Sequence, residues 1–309
     1  MIKIKSPLTN SDNTKIISKI NSDYIVNMYR ESYSIDVARF FSDIPEVQIV
    51  ECLDTGYKFF HPFNISGDGL FYENLQKYDW YYMPWKWEHQ ETAKKIQPGM
   101  KVLEVGCAEG DFIEKITKEF GGICTGLELN EHAAKKASSK GLNVEVKSIQ
   151  NFSNENEGLF DIVCSFQVLE HVDSVKEFIR SMVKCLKKGG KLIVGVPNND
   201  SFLGLSDNLL NIPPHHMGLW NKRALTSLTN IFPIELVQFH FESLQEYHVD
   251  YYKKTIKDCA IKKMDQNIDK FGFLGRILNQ YEKIFFEKNL KRKYPNLNNF
   301  TVLVEFTKK

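Results

Sequence analysis

Apolar positions along the chain change period several times, and each change marks an element. From Lys101 to Val105 one polar residue leads into Val102, Leu103 and Val105, with a glycine just beyond, which is the pattern of a short buried strand. Asp111 to Phe120 then places Phe112, Ile113, Ile116 and Phe120 at helical spacing and stops at Gly121 and Gly122, as a helix ended by glycine does. Further strands are expected at 123–127, at 143–147, from 160, and at 191–196, 236–241 and 300–306. Between them Ser174 and Glu177 read as a capping box, and Val175, Phe178, Ile179, Met182, Val183 and Leu186 form one apolar face that Gly189 and Gly190 end. Another helix is expected at 221–230. Strands alternating with helices predict an α/β fold around a mostly parallel sheet.

Three stretches organise the chain around that pattern. Residues 1–95 read as an N-terminal cap, with polar helical and extended pieces leading into a run of rings that includes Phe59, Phe60, Phe63, Phe71, Tyr72, Tyr78, Trp80, Tyr81, Tyr82, Trp85 and Trp87. So many rings before the first core strand either fill a small core or roof a cleft. Residues 96–243 and 298–309 form the expected core. Residues 244–297 form a helical insertion, in which Phe271, Leu274, Ile277, Leu278, Tyr281, Ile284 and Phe285 share a face that packs on the core, covers the cleft or pairs subunits in a homodimer.

The chemistry concentrates at the turn after the first core strand, Glu104-Val-Gly106-Cys-Ala-Glu-Gly110. Gly106 and Gly110 let the backbone turn tightly and approach a ligand at distances a Cβ would forbid. The loop falls at the carboxyl end of the sheet, where open α/β folds bind ligands. Glu128 ends the next apolar segment, so its carboxylate lies beside the loop and can accept from both hydroxyls of a ribose. A nicotinamide enzyme shares that acid spacing, but the glycines are not arranged as G-x-G-x-x-G. Glu104 and Glu109 would repel a pyrophosphate and suit an ammonium and a sulfonium.

Here the chain resembles the class I S-adenosylmethionine-dependent methyltransferases over about residues 80–242. The resemblance runs in order through the glycine loop, Thr125-Gly-Leu-Glu-Leu-Asn130, Phe160-Asp-Ile-Val-Cys-Ser-Phe-Gln-Val-Leu-Glu-His-Val172 and Leu186-Lys-Lys-Gly-Gly-Lys-Leu-Ile-Val-Gly-Val-Pro-Asn198. It implies a Rossmann-like three-layer sandwich with seven strands, the last antiparallel, and S-adenosylmethionine as cofactor. It also implies Glu104, Gly106, Cys107, Ala108 and Gly110 near the methionine part and Glu128 with Leu129 on the ribose. Ser148 and Ile149 then fall at the adenine, and Phe166 and Gln167 near the reacting methyl. Ala108 stands where the family usually has glycine, and Ser148 where an acid often receives the adenine amino group. Tyr72 and Tyr82 are expected against the sulfonium or the methionine carboxylate.

The best candidate for acceptor chemistry is Asn211-Ile-Pro-Pro-His-His-Met-Gly-Leu-Trp220, after the fifth core strand. Its prolines stiffen the loop that carries His215 and His216, each suited to deprotonate a hydroxyl near neutral pH, with His171 as a third candidate. Trp220 and Tyr81 offer rings for a substrate to stack on. Plainer roles compete: Phe166 as core, Glu170 and His171 orienting a loop or capping a helix, one histidine capping the helix at 221–230. In similar methyltransferases a Pro-Pro-His-His segment recurs in bacterial glycan gene sets, which implies a sugar, nucleotide sugar or glycan acceptor. A metal is not expected, because adjacent histidines diverge in extended chain and no His-x-x-x-His or Cys-x-x-Cys pair exists.

Composition narrows the rest. The 309 residues are 42% hydrophobic and 26% charged, as in ordinary globular chains, and 40 basic residues balance 39 acidic ones, so neither nucleic acid nor a membrane surface is the expected partner. No apolar run is long enough to span a bilayer and Met1-Ile-Lys-Ile-Lys5 lacks a signal core, which predicts a cytoplasmic protein without membrane insertion. The six cysteines are scattered and read as reduced. Cys52-Leu-Asp-Thr-Gly-Tyr57 looks like half of a degenerate zinc ribbon whose partner cysteines are missing. Two other functions stay open: a cofactor-binding scaffold without catalysis, and a nicotinamide enzyme.

Overall fold

The computed structural model describes residues 3–78, 81, 83–271 and 273–309, with the backbone alone at 268, 271, 273, 275, 278 and 280–284. In chain order the elements are β1 (Thr14–Asn21), α1 (Ser22–Tyr33), β2 (Glu46–Cys52), β3 (Lys58–His61), α2 (Gly69–Leu75) and α3 (Trp87–Ala93). The core then alternates β4 (Lys101–Val105), α4 (Asp111–Phe120), β5 (Ile123–Leu127), α5 (Glu131–Ser139), β6 (Val144–Glu145), α6 (Ile149–Phe152), β7 (Phe160–Phe166), α7 (Val175–Cys185) and β8 (Leu186–Pro197). There follow β9 (Gly218–Leu219), α8 (Lys222–Ser227), β10 (Ile234–Phe241), the long helices α9 (Val249–Phe271) and α10 (Phe273–Lys293), and β11 (Thr301–Lys308).

Seven strands form the main sheet in the order β10-β11-β8-β7-β4-β5-β6. The five from β8 to β6 are parallel, and β11 runs antiparallel to both of its neighbours. Central strands are covered on both faces, which is why β7 reads as a nearly unbroken apolar run with Ile162, Val163 and Cys164 at most 1% exposed. The chain leaves β4 toward β5 and β6, then returns to place β7 on the other side of β4. The loop after β4 therefore opens at the point where strand order reverses, the crevice in which such sheets bind ligands.

A second sheet, antiparallel in the order β1-β2-β3-β9, gives the N-terminal region more regularity than the sequence suggests. Its last strand comes from the segment after β8: Phe59 pairs with Gly218 and Lys58 with Leu219. One face of this sheet enters the main core, where Val50, Tyr57 and Phe59 pack in one cluster with Val105, Val196 and Trp220.

Local details depart from expectation where tertiary contacts take over. The chain passes straight from α7 into β8 at Leu186, so Gly189 and Gly190 lie in the strand and do not end the helix. Ser174 makes no capping hydrogen bond, since its hydroxyl accepts from Gln150 at 3.2 Å while Glu177 pairs with Arg180. The helix at 221–230 is a short α8, capped by Asn221 and not by a histidine. The insertion is a helical pair, held through Tyr252 and Ile256 against Phe202 and Leu297. Leu274 and Ile277, expected on a packed face, are 64% and 55% exposed.

Candidate active site

One cavity of about 880 Å³ runs from the glycine loop to the histidine segment. At the loop end the backbone demands small residues. Gly106 and Gly110 take φ of +81° and +80°, and a Cβ would meet Val168 Cγ2 at 2.5 Å or Leu142 Cδ1 at 2.6 Å. Ala108 sits between them at φ 50°, a left-handed backbone in a residue with a side chain. The turn is tied to β5, with the Gly106 and Cys107 amides both donating to Leu127 O, at 2.8 and 3.0 Å. Glu128 fastens it further: Oε2 accepts from Ala108 N at 2.9 Å and Oε1 from Asn130 N at 2.8 Å. A carboxylate has about four acceptor positions, so both oxygens keep a lone pair for ribose hydroxyls.

Glu104, at the end of β4, is the loop's electrostatic feature. It is 4% exposed and its Oε2 has no hydrogen-bond partner among the described residues. Burial pushes its pKa well above the ordinary range, against the attraction of Lys86. A cationic group arriving in the cavity would complete it. Glu109, expected to add negative charge here, is instead paired with Lys136 at 2.7 Å. Cys107, Leu129, Ser148 and Ile149 all line the cavity, Ser148 also capping α6 through Asn151 N at 3.3 Å.

Phe166 and Gln167 line the cavity wall. The Phe166 ring packs edge-on against His89 and Phe112, so it is both core and lining. Gln167 adopts φ 55°, and its side-chain amide donates to Glu88 Oε1 at 3.1 Å. A bulky residue held in that region is uncommon and clusters at functional sites.

The histidine end is shaped by a turn. The amides of His215 and His216 both donate to Ile212 O, at 3.1 and 3.2 Å, so the two rings do not diverge as they would in extended chain but stack, with centroids 4.6 Å apart at 20°. His171 brings its ring to 4.6 and 4.9 Å from them. The segment is held on both sides, by β9 and by the amides of Met217 and Gly218, which donate to Glu170 O at 2.7 and 3.0 Å. Each imidazole uses Nδ1 inward: His171 to His215 O at 2.6 Å, His215 to Leu210 O at 2.7 Å, and His216 to Asn211 Oδ1 at 3.1 Å. These partners are acceptors, so each Nδ1 carries the proton and each Nε2 the lone pair. Tyr81 OH lies 2.9 Å from His215 Nε2, and Tyr72 OH donates to His215 O at 3.4 Å. Burial lowers the pKa of all three histidines, His171 to about 4, and raises Glu170 to about 8.

Most of the expected site residues meet at this cavity; the exceptions are Gly110, whose Cβ position faces Leu142 and Ala137 instead, Trp220 and Tyr82. Trp220 is no substrate platform: it is fully buried and packs at a tilt of 35° on Tyr57, with centroids 4.4 Å apart, because the pairing of β9 with β3 turns the ring into the core. Tyr82 lies outside the described residues, and Tyr72 packs on His171 and His215 at the histidine end. Sequence reasoning missed Glu88, Lys86, Glu242 and His248, all cavity-lining, and gave Glu170 only a loop role. Glu170 Oε2, Glu242 Oε2 and His248 Nδ1 are buried without hydrogen-bond partners among the described residues. The available signal was charge inside apolar surroundings, as in Trp85-Lys-Trp-Glu-His89. Cys52, the half-ribbon cysteine, sits among hydroxyls, with Thr9 Oγ1 at 3.8 Å.

Residues 80–255 match the profile of a family described as a methyltransferase domain. The chain is 33% identical over 115 residues to the mitochondrial ubiquinone biosynthesis O-methyltransferase of Dictyostelium discoideum, a match covering 32% of this chain and 36% of that protein. It is 31% identical over 108 residues to the ubiquinone biosynthesis O-methyltransferase of Idiomarina loihiensis, covering 33% and 44%. The chain thus spans less than half the length of either relative. Among solved structures it is similar to an S-adenosylmethionine-dependent methyltransferase from Archaeoglobus fulgidus, with TM-score 0.49 and 17% identity over 71% of this chain and 94% of that one. A second, from Geobacter sulfurreducens in complex with S-adenosyl-L-homocysteine, has TM-score 0.44 and 13% identity over 73% and 92%.

Proposed function

The chain belongs to the methyltransferase-domain family, with S-adenosylmethionine as cofactor, and we propose that it methylates a hydroxyl of a small polyhydroxyl acceptor: a sugar, nucleotide sugar or glycan. The observation that carries this reading is one cavity with a cation-seeking carboxylate, Glu104, at one end and three imidazoles, two buried and one half-buried, at the other. The glycine loop and Glu128 suit the nucleoside and methionine parts of the cofactor, with Glu104 oriented toward their positive charge.

Bound S-adenosylmethionine supplies an electrophilic methyl; as the acceptor oxygen takes it, the carbon–sulfur bond electrons return to sulfur and the hydroxyl proton leaves. The protein's part is alignment and proton removal, and positioning alone is worth ~7 kcal/mol or more of the barrier. The histidine cluster is where the acceptor hydroxyl loses its proton. His216, with Nδ1 bonded to Asn211 Oδ1, keeps its lone pair on Nε2 and lines the cavity, as does His171.

The lining favours a polyhydroxyl acceptor. The unpartnered oxygens of Glu170 and Glu242 and Nδ1 of His248 each want a hydrogen-bond partner, and leaving such a group buried and unmet costs about 1–3 kcal/mol. Several hydroxyls on one molecule meet that need; a bare aromatic ring does not. The insertion at 244–297, which begins just after Glu242 and carries His248, forms part of the acceptor side. The test is transfer of a labelled methyl group from S-adenosylmethionine to a panel of nucleotide sugars, oligosaccharides and phenols. Product from a sugar-containing acceptor supports the reading, and product from phenols alone replaces it.

A further inference from the structure

His171, His215 and His216 come from two loops far apart in sequence, yet one ring nitrogen of each lies within 4.8 Å of the others, and all three face the same cavity. Two independent features distinguish this from ordinary core histidines. Every Nδ1 is used against an acceptor of the protein, which fixes the tautomer with the lone pair on Nε2; at His215 that lone pair faces the Tyr81 hydroxyl at 2.9 Å. Even the Asn211 amide is oriented by a second bond, from its Nδ2 to Asn199 Oδ1 at 2.9 Å, so that its oxygen faces His216. Metal-ligating histidines are held in this way, with the second nitrogen donating to a carbonyl or carboxylate. The other feature is the buried, unpartnered Glu170 Oε2 beside them, whose carboxylate reaches His171 Nε2 at 3.9 Å through its other oxygen.

We propose that these three imidazoles form a binding site for a divalent transition-metal ion of the zinc class, opening onto the acceptor end of the cavity. Three neutral histidines with one open position are a known catalytic ligand set for such ions, whereas magnesium and calcium prefer oxygen. Nitrogens around a tetrahedral ion are spaced about 3.4 Å apart, so closure needs side-chain rotations of about an ångström. Such rotations release the Tyr81 hydroxyl from His215 Nε2. Cys52, the only cysteine the sequence linked to zinc, has no part in it. The catalytic consequence rests on the proposed methyl transfer: an ion here would take up the Nε2 lone pairs and so replace the imidazoles as base, holding the acceptor oxygen and easing loss of its proton to the neighbouring Glu170 carboxylate or to solvent. Binding of the ion does not rest on that reading.

The test uses the tag-free full-length protein with ZnCl2 or CoCl2 as probe, and no activity readout. Zinc content and competition against a chromophoric chelator give stoichiometry and affinity, and the cobalt form reports the ligands through its visible spectrum. The expected result is one ion per chain at micromolar affinity or tighter, with cobalt bands lacking thiolate charge transfer, and at least a hundredfold weakening in His216→Gln and His171→Gln. His216→Gln keeps a side chain able to bond Asn211, and its thermal melt without metal shows whether the fold survives. Glu128→Ala, at the other end of the cavity, should bind zinc as the wild type does, even if cofactor binding fails. Sub-stoichiometric or millimolar binding, or binding that survives both histidine substitutions, overturns the proposal.

Discussion

Ala108 holds a left-handed backbone at the middle of the glycine loop, a conformation that costs a residue with a Cβ roughly 1 kcal/mol or more. Ala108→Gly removes that strain at some cost in chain entropy, and should leave cofactor affinity unchanged while raising the melting temperature slightly. Thermal unfolding with and without S-adenosylhomocysteine checks both halves. Glu104 bears the opposite relation to ligand. Its unmet Oε2 predicts that Glu104→Gln, which keeps shape and loses charge, weakens S-adenosylmethionine binding about tenfold, or ~1.4 kcal/mol, with little loss of stability. Equal affinity in the variant would remove Glu104 from cofactor recognition.

At the scale of elements, β9 is the least conspicuous strand and the most consequential. Two residues long, it anchors the histidine segment to β3 and turns Trp220 into the core. Trp220→Ala should cost about 3–5 kcal/mol by denaturant unfolding, as loss of a large core ring does, and not merely weaken substrate binding. These residues show where the sequence stops being legible. The strands β4, β5 and β7, the helix α4 and the loop between strand and helix are written in local periodicity and glycine placement, and they appear where expected. The direction of the His215 and His216 rings is not local: it depends on a turn closed at Ile212 O and on partners at Glu170 and Phe59. An apolar residue after such a loop reads equally as platform or core until its sheet partner is known. Ser174 shows the same limit, because Gln150 takes the hydroxyl that a capping box would use.

On the scale of the whole molecule, burial of titratable groups sets how the protein responds to acid. His89 packs among Phe112, Phe166 and Trp85, and burial lowers its pKa to about 3; His248 is lowered to about 4 for the same reason. Both are neutral in the fold and take a proton in the unfolded chain below about 6.5. Their contribution is therefore complete above that pH and is lost as pH falls toward 3 or 4. His89 alone predicts a loss of about 2 kcal/mol between pH 6.5 and 5. Chemical denaturation of wild type and His89→Phe across that range should show a flatter dependence in the variant. A parallel course would mean that His89 is protonated in the fold.

The seven-stranded order and the family resemblance make the cofactor the point on which everything else depends. The most direct test is calorimetric titration of the purified protein with S-adenosylmethionine, S-adenosylhomocysteine and NADH, repeated on Glu128→Ala. The account predicts micromolar binding of both sulfur compounds, no binding of NADH, and loss of affinity in the variant. Binding of NADH alone, or of neither sulfur compound, would contradict it.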